Sequence, residues 1–464
     1  MPAIVRQTLS RSLARNLLQD IALSDNEYYI GISKSDAFNE ADTVIAPVDC
    51  PFDEREFRNG MQSIKKVEGA SFVAKRVNWV SGNEYAGWDD TTASDIVEPW
   101  TPWYVMNDAK EVYVCLETGL AVDGTPKQSV IEPNWGLHAP MSPETDPNAP
   151  MFNVREWWKP FETADGYIWK YSYSLRPENI YQYLSSNHIP VQEAEPDLPT
   201  GDSIEDLQTK VRDEAIGGQI LRATILDAGT GHTTPPTINI HGDGNDDAVA
   251  VAEIDTETGT ITKIKMTNYG SGYTFASFEI LGGTTSGSAR AVITSEAGLG
   301  FDPIDDLKTS SVLTNIKPDG DVDGTFITFN TFRQMGLIKN PLEADGTPYT
   351  GTSTKTLPSI TLENTSPFES GKLVTGSISG AKAYVNQSID KVVFYHQNES
   401  TGFKPFRDDE ALVQAGQVLD GNIDTISPVN GINRFSGEVL YIESRHRIRR
   451  DPEQQEDIKL VITV

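Results

Sequence analysis

The sequence predicts a mainly β, sandwich-like fold with a few short helices. Many stretches alternate apolar and polar residues with the period of two that strands show, and YIWKYSYSL at 167–175 is the clearest of them. The 37 glycines and 27 prolines imply many turns. A pattern of short strands and glycine turns also occurs twice within 217–297. The chain of 464 residues has room for several domains, at about 100–200 residues per domain.

The amino-terminal half predicts a helix followed by strands. Leu9, Leu13 and Leu17 recur at helical spacing, with Thr8 or Ser10 placed to cap the helix. In the strand at 167–175 the residues at every second position from Tyr167 share one apolar face, so one face is expected to be buried, with Lys170 on the other. The remaining elements predicted here are strands at 28–32 and 111–116, a linker at 190–202 and a helix at 203–215.

The carboxy-terminal third predicts further strands, at 324–332, 372–378, 382–397 and 458–464. In the last of these, Ile458, Leu460 and Ile462 share one face, so the end of the chain is expected to join a sheet. Because the first helix is also apolar on one side, Leu9, Leu13 and Leu17 are expected to pack against the sheet that contains 458–464.

The internal repeat sets GTGHT at 229–233 beside GSGYT at 270–274, an offset of 41 residues (270 − 229 = 41). Two further pairs match at this offset: Ile220 with Ile261 and Ala248 with Ala289. The glycines are expected where a tight turn requires positive φ without a Cβ clash. A single repeat cannot bury its own apolar face, so residues 217–297 are predicted to form an inserted β module whose two copies close one shared core.

Charge and hydropathy argue against several kinds of partner. The chain has 38 basic and 67 acidic residues, and its formal net charge of −29 opposes binding to nucleic acid or anionic lipid. Neither a signal peptide nor a membrane span of about 18 apolar residues is predicted. Cys50 and Cys115 lie in no metal-binding pattern and are expected to be packed, reduced thiols of a protein made in the cytoplasm.

No motif predicts a catalytic, cofactor-binding or metal-binding residue, so the protein is not expected to be an enzyme. Asp319, Asp321, Asp323 and Gly324 match the first half of a calcium loop, but Asn330 stands where the bidentate Glu belongs, and a solvated turn is favoured. HGDGNDD at 241–247 is interpreted in the same way. The six histidines show no catalytic spacing, although a triad or a carboxylate pair could still assemble in space.

Three features allow competing interpretations. An aromatic cluster at 79–104 could stack sugars, but large aromatic residues more often form a core or a protein contact; its members are Trp79, Tyr85, Trp88, Trp100, Trp103 and Tyr104. The basic run SRHRIRR at 444–450 could contact nucleic acid, but a local salt-bridge patch is favoured. Arg333 and Gln334 directly follow an apolar strand, so they are expected to form a buried polar network with carbonyls or carboxylates.

Several stretches together resemble one family: the baseplate wedge subunit called gene product eight of T-even-like contractile-tailed bacteriophages, particularly its longer versions in cyanobacterial phages. The start MPAIV is joined, in the expected order, by five longer stretches: NWVSGNEYAGWDD (78–90), PWYVMNDAKEVYVCLETG (102–119), DGYIWKYSYSL (165–175), FNTFRQMGLIKNP (329–341) and GEVLYIESRHRIRRDPEQQEDIKLVITV (437–464). Each stretch is weak alone, and their order over nearly the whole chain makes the resemblance fairly specific. The repeat at 217–297 resembles an insertion absent from shorter members.

The resemblance implies a structural virion protein of the tail baseplate, made and assembled in the host cytoplasm, without a catalytic centre or cofactor. It implies a homodimer that contacts other baseplate wedge proteins around the tail hub; charge and hydropathy, as stated above, predict no nucleic-acid or membrane partner. It also implies a discontinuous outer α+β domain, 1–98 joined to 305–464, with an inserted middle β domain at 99–304 that contains 217–297.

Two other functions compete with this expectation. A carbohydrate-binding tail protein or adhesin is motivated by the aromatic cluster and the turn-rich repeat. An enzyme that cleaves an acidic polysaccharide is the third possibility, and it would require turnover of a host glycan.

Overall fold

The computed structural model describes residues 5–23, 25–92, 101–121, 124–143, 153–192, 204–318, 324–365, 368–414, 417–429 and 431–464. The chain divides into two compact units, both discontinuous in sequence. The first unit comprises Met1–Ala14, Ser71–Ser311 and Thr463–Val464, and the second comprises Arg15–Ala70 and Val312–Ile462. Residues 71–92 thus belong with the unit that contains the described part of the segment 99–304, rather than with residues 15–70 and 312–462, and Tyr85 lies in the core of that unit.

The fold is mainly β, as the sequence predicts. The helices of the described residues are α1 (Gln7–Ala22), α2 (Pro51–Asn59), α3 (Trp135–His138), α4 (Pro177–Tyr183), α5 (Ile204–Asp213) and α6 (Pro303–Asp306). The strands are β1 (Tyr28–Ser33), β2 (Ser63–Lys66), β3 (Gly69–Lys75), β4 (Tyr104–Met106), β5 (Glu111–Glu117), β6 (Met141–Pro143), β7 (Asn153–Arg155), β8 (Phe161–Glu162), β9 (Ile168–Ser174), β10 (His188–Val191), β11 (Ile220–Asp227), β12 (Thr237–Gly242), β13 (Val249–Asp255), β14 (Thr260–Asn268), β15 (Ala276–Leu281), β16 (Ser288–Ile293), β17 (Ser311–Ile316), β18 (Asn330–Lys339), β19 (Leu342–Glu343), β20 (Ser353–Lys355), β21 (Ser359–Leu362), β22 (Leu373–Gly376), β23 (Lys382–Ile389), β24 (Val392–His396), β25 (Ala411–Gln414), β26 (Gln417–Ser427), β27 (Ile432–Asn433), β28 (Glu438–Arg450) and β29 (Ile458–Thr463). Among the helices described, none has the length and apolar character needed to cross a membrane.

An antiparallel sheet in the order β4-β5-β9-β8 carries the aromatic core of the first unit. Its register sets Tyr113 opposite Tyr171 and Cys115 opposite Trp169. Tyr85, Phe161 and Tyr167 join the same core, and α5 packs Val211 into it from beside β9. Aromatic residues favour strands because their rings cover the pleated surface, and here neighbouring rings meet edge to face, with 5.8 Å between the ring centres of Tyr113 and Tyr171.

The strand predicted at 167–175 is present as β9, but the prediction that only one of its faces is buried is wrong. Lys170, Ser172 and Ser174 are buried like the aromatic residues between them. The second face is covered because the segment before α6 lies on it, where the Lys170 ammonium donates to the Leu299 carbonyl at 2.8 Å. Period-two patterning shows which residues share a face, and not whether that face meets another layer.

The two repeats of residues 217–297, called the β module below, exchange strands. β11 of the first repeat pairs with β16 of the second, and β14 of the second pairs with β13 of the first. The middle strands β12 and β15 pair with each other, with Ile238 opposite Ile280 and Ile240 opposite Phe278. Apolar residues of both copies then form one core. Three of the four strand pairs in the β module therefore join the two copies, and one pair, β15 with β16, lies within the second copy.

The two glycine turns occupy equivalent corners of the β module. Gly229 and Gly270 have φ of 61° and 62°, and Gly231 and Gly272 both have φ of 74°. Each turn is tied to the start of the other copy at the same distance of 3.0 Å: His232 donates its backbone N–H to the carbonyl of Gly259, and Tyr273 donates to that of Gly218. The His232 and Tyr273 rings are both 3% exposed, so the aromatic position of the repeat is a core position.

One equivalence predicted within the repeat is wrong. The ladders set Ile225 opposite Ala289 and Met266 opposite Ala250, so Ala289 corresponds to Ala250 rather than to Ala248. The chain from the first to the third strand differs in length by two residues between the copies. Because side chains of a strand alternate with a period of two, a shift of the sequence alignment by two residues keeps the inward-facing alanines on the inner face.

The second unit is built on a five-stranded antiparallel sheet in the order β20-β2-β1-β18-β28. β1 is buried along its whole length: Tyr28, Ile30 and Ile32 face one apolar core, whereas Tyr29 faces another. A closed barrel in the order β21-β24-β23-β22-β25-β26 follows in the chain and encloses a core of its own. Closure leaves that barrel without an exposed strand edge.

The strand predicted at 324–332 begins only at Asn330. Phe326 and Ile327 are buried as the pattern implies, but side chains hold this segment in place of a ladder. Arg450 donates to both of their carbonyls, and Ser63 Oγ accepts from the Ile327 N–H at 2.9 Å. Phe329 has φ of 54°, a conformation that interrupts an extended chain.

The predicted packing of the first helix is correct for its second half only. Leu17 and Ile21 of α1 pack into the core of the second unit that also contains Leu460 of β29. Leu9 and Leu13 are instead 54% and 45% exposed, because the first half of α1 lies outside that core.

Candidate functional site

The aromatic cluster of residues 79–104 is a core, as favoured from the sequence. Tyr85, Trp88, Trp103 and Tyr104 are at most 6% exposed. Trp100 lies outside the described residues. A sugar stacks on the open face of a ring, so these four rings offer no platform for a glycan.

Two of these rings surround a buried lysine. Lys308 is 7% exposed, and its ammonium lies 4.3 Å from the ring centre of Trp88 and 5.6 Å from that of Trp103. It donates to the backbone carbonyls of Asp89 and Thr92. Burial lowers the pKa of Lys308 to about 8. The ring faces and carbonyls replace the water that the ammonium loses.

Asp306 lies beside this lysine, at the end of α6. Its backbone carbonyl accepts from the indole N–H of Trp88 at 3.1 Å and of Trp103 at 3.0 Å, and its carboxyl accepts from the Gly300 N–H at 2.7 Å. Burial raises the pKa of the Asp306 carboxyl. On β9, burial lowers the pKa of the Lys170 ammonium. Asp306 is 3% and Lys170 7% exposed. Because both side chains are buried, they stabilise the core and a substrate in solution cannot contact them.

Sequence reasoning missed this buried cluster of ionisable side chains, Lys170, Asp306 and Lys308. The available signal was Lys170 itself, a lysine inside an aromatic strand. The alternation of apolar and other residues in 167–175 places Lys170 on the face that is expected to be exposed. Nothing in the local pattern at 303–308 indicates that tryptophans cover α6. The contact between Trp103 and Asp306 joins two segments that are 203 residues apart in the sequence.

Equivalent cations of the two repeats hold the β module on the rest of the first unit. Arg222 donates to the Asp89 carboxylate at 2.7 Å and to the Trp88 carbonyl at 2.5 Å. Lys263, which stands at the position equivalent to Arg222 in the second repeat (263 − 222 = 41), pairs with Glu117 at 2.7 Å. The duplicated sequence thus presents two positive groups on one face of the β module.

A third cation completes this attachment. Arg290 pairs with Asp89 at 2.8 Å and also with Asp90. Burial raises the pKa of Asp89, but hydrogen bonds from Thr91 and the charges of Arg222 and Arg290 outweigh it and lower that pKa to about 2. The Asp89 carboxylate is therefore a charged, part-buried anchor for the β module.

Arg333 forms the buried polar network that the sequence predicts. It is 5% exposed, and its guanidinium donates to the Ser35 carbonyl and to the Asp42 carboxylate, both at 2.8 Å. Gln334 makes only a long contact of 3.4 Å with Ser444 Oγ. The arginine ties the loop after β1 to β18, which is a structural role.

The basic run at 444–450 pairs with carboxylates of the same chain. Arg450 is fully buried and bonded to Glu456, in addition to the carbonyls described above. Arg449 pairs with Asp451 at 2.8 Å, and Arg445 with Glu443. These contacts are those expected of a local salt-bridge patch.

A small cleft of about 250 Å³ in the second unit brings together a lysine, a carboxylate and a histidine, Lys34, Asp36 and His396. His396 Nε2 lies 3.7 Å from Asp36 Oδ1, and Lys34 Nζ lies 3.2 Å from Asp36 Oδ2. The other ring nitrogen, Nδ1, lies 2.8 Å from the Asn386 amide oxygen and therefore donates to it. Burial opposes ionisation of Asp36, but the neighbouring His396 imidazole and the charge of Lys34 lower its pKa.

The remaining candidates from the sequence have structural surroundings. Asp243 of HGDGNDD accepts from the backbone N–H of Thr274 at 2.8 Å and of Phe275 at 3.2 Å, which fixes the second glycine turn. Cys115 is buried, and burial raises its thiol pKa; Cys50 is part-exposed. Asp319, Asp321 and Asp323 lie outside the described residues, and the rest of the described chain holds no cluster of three or more metal-ligating side chains.

Comparison with known proteins adds no relative. No model of a protein family matches the sequence, and a search of curated proteins finds none that is similar.

Proposed function

We propose that the protein is a structural component of a phage tail baseplate wedge, which assembles with itself and with other wedge subunits around the tail hub. The proposal starts from the six stretches that resemble the gene product eight family in order. It places the protein in the virion, after synthesis and assembly in the host cytoplasm.

The observation that carries this proposal is where those stretches lie in the fold. PWYVMNDAKEVYVCLETG forms β4 and β5, and DGYIWKYSYSL forms β9, so two stretches build the central sheet of the first unit. FNTFRQMGLIKNP forms β18 and the last stretch contains β28, which are paired in the main sheet of the second unit. The resemblance therefore follows the framework strands of both units and does not converge on one cleft, which is the distribution expected of a structural subunit.

The chemistry of the buried polar groups supports the same conclusion. Lys308, Asp306, Arg333 and Arg450 are each bonded to carbonyls, indoles or carboxylates of the chain itself. Perturbed pKa values often mark active sites, but structural networks also perturb them. Here the perturbed groups are buried where they hold segments together.

The competing carbohydrate-binding function loses its main motivation. It required Trp88 and its neighbours to present ring faces to a glycan, and Trp88 is 6% exposed with a lysine ammonium on its ring. An adhesin would have to bind through another surface.

Sedimentation velocity tests the proposal. The purified chain should sediment as a dimer, and in a mixture with the neighbouring wedge subunits of the same phage it should move into a faster-sedimenting complex. A strict monomer that joins none of those subunits would contradict the proposal.

A further inference from the structure

Two clefts of the second unit meet at the loop between β1 and α2. One, of about 410 Å³, lies between residues 47–54 and residues 439–442 of β28. The other is the cleft of about 250 Å³ that holds Asp36 and His396, and it is lined by Ile45, Ala46 and Pro47 from the other side of the same loop. Both clefts are lined by Pro47, and the two clefts together are called the loop groove below.

The wall of the loop groove formed by β28 is a sheet edge. β28 is the last strand in the order β20-β2-β1-β18-β28, and no described residue pairs with its outer side. Its register with β18 passes from Val439 opposite Ile338 to Tyr441 opposite Leu337 and skips Leu440. Such a bulge discourages indiscriminate edge pairing and redirects a side chain, here Leu440, which is 41% exposed and lines the groove.

Exposed apolar side chains line the loop groove from end to end. Val48 is 64%, Ile45 52% and Phe52 49% exposed, and with Leu440 they form a set that extends across both clefts. Single exposed apolar residues need no explanation, but a set that lines one groove marks a binding surface.

The charge of the loop groove is negative. Its carboxylates are Asp36, Asp49, Asp53, Glu54 and Glu56, and its one lysine is Lys34. Lys34 pairs with Asp36 and Arg58 pairs with Glu54, which leaves Asp49, Asp53 and Glu56 as an acidic excess beside the apolar side chains. A ligand that complements this surface is apolar and carries positive charge.

We infer that the loop groove binds an extended segment of a partner protein, in which apolar residues alternate with residues that include lysine or arginine. The apolar side chains of the segment contact Val48, Phe52 and Leu440, and its basic side chains lie against the carboxylates of the loop. An extended segment fits because the groove follows a strand, and alternate side chains of a strand point to one side. The inference rests on the proposed function, since a wedge subunit requires such neighbours.

Fluorescence anisotropy of a labelled synthetic peptide tests the inference directly. The probe is a short peptide in which valine alternates with lysine and threonine, and its counterpart has glutamate in place of lysine. The full-length protein should bind the lysine peptide saturably and the glutamate peptide at least about tenfold more weakly, a difference of about 1.4 kcal/mol. The double change Val48→Ser and Leu440→Ser should weaken binding of the lysine peptide by about tenfold as well.

Matched control substitutions distinguish an effect of the loop groove from the effect of replacing any exposed apolar residue by serine. Val130 is 58% and Leu373 38% exposed, values close to those of Val48 and Leu440, and neither lines the groove. The change Val130→Ser with Leu373→Ser should leave binding unchanged. The inference is overturned if the lysine peptide does not bind, if both peptides bind equally, or if the control change weakens binding as much as the groove change.

The same variants distinguish this inference from the proposed function. If the wild-type chain enters the wedge complex and the Val48→Ser, Leu440→Ser variant enters it equally well, the groove is not the docking surface and the proposed function stands. If the wild-type chain enters no complex, the proposed function fails whatever the peptides show.

Discussion

At the scale of single residues, the buried carboxyl of Asp306 shows how an ionisable side chain makes the stability of an interior depend on pH. The backbone of Asp306 accepts from two indoles while its side chain accepts from Gly300. Burial raises its pKa, which means that the folded protein holds the proton more tightly than the unfolded chain does. Stability must then depend on pH through this group.

The sign of that dependence can be measured with Asp306→Asn. Between the unfolded pKa near 4 and the raised folded pKa, the unfolded chain releases a proton that the folded protein keeps, so stability falls as pH rises. The amide has no proton to release, so from about pH 5 to pH 7 the variant should gain about 1–3 kcal/mol relative to wild type. Urea unfolding followed by tryptophan fluorescence reports this change.

The control is Asp305→Asn, in the same helix, where the carboxylate is 43% exposed and paired with Arg11. It should not reproduce the pH-dependent gain. If Asp306→Asn and wild type show parallel pH profiles, Asp306 is ionised in the folded protein and its assigned role is wrong.

The glycine turns provide a second comparison at residue scale, because Gly231 and Gly272 share a φ of 74° but differ in surroundings. A Cβ at Gly272 would meet no atom within 4 Å, whereas one at Gly231 would overlap Thr284. Gly272→Ala should therefore cost only the strain of positive φ, about 1–2 kcal/mol. Gly231→Ala should cost more, and its melting temperature should be the lower of the two. Equal melting temperatures would show that the turns are not packed as described.

At the scale of elements, the β module is attached as an insertion. Its first and last residues are neighbours, since a Cβ at Gly298 would overlap the carbonyl of Ile216. The chain therefore leaves the body of the first unit and returns to it at one place. Because the strand exchange lies wholly within 217–297, the β module contains a complete core of its own.

Removing the β module, with residue 216 joined to residue 298, should leave a chain that still melts cooperatively but at a lower temperature. The loss of Arg222 and Arg290 leaves the part-buried Asp89 without its cations. Asp89→Asn should consequently raise the melting temperature of the deletion variant and lower that of the full-length chain. A deletion variant without a cooperative transition would show that the β module belongs to the main core.

The comparison of sequence with structure is most informative at this scale. The repeat could be predicted because its glycines and apolar residues recur at a fixed offset, and the shared core followed from the inability of one copy to bury its face. The exchange of strands could not be predicted, because two similar sequences do not indicate whether a strand pairs within its own copy or with the other copy. The candidate sites could not be predicted either, because Lys308 meets Trp88, and residue 48 lines one cleft with β28, only when segments distant in sequence come together.

At the scale of the whole molecule, the chain combines a net charge of −29 with two units in which buried lysines and arginines are bonded to carbonyls or carboxylates of the same chain. These buried groups hold segments together, whereas the loop groove is an acidic surface cleft with apolar side chains beside a strand edge. This distribution suits a subunit that recognises proteins, which is the central claim of the proposed function.

The proposed function requires that a phage encodes the chain, so the most direct measurement is mass spectrometry of purified particles of that phage, before and after isolation of the tail baseplates. A wedge subunit should be present in the particles and enriched in the baseplates, in a fixed ratio to the other wedge proteins. A chain that is abundant in infected cells but absent from particles would contradict the account.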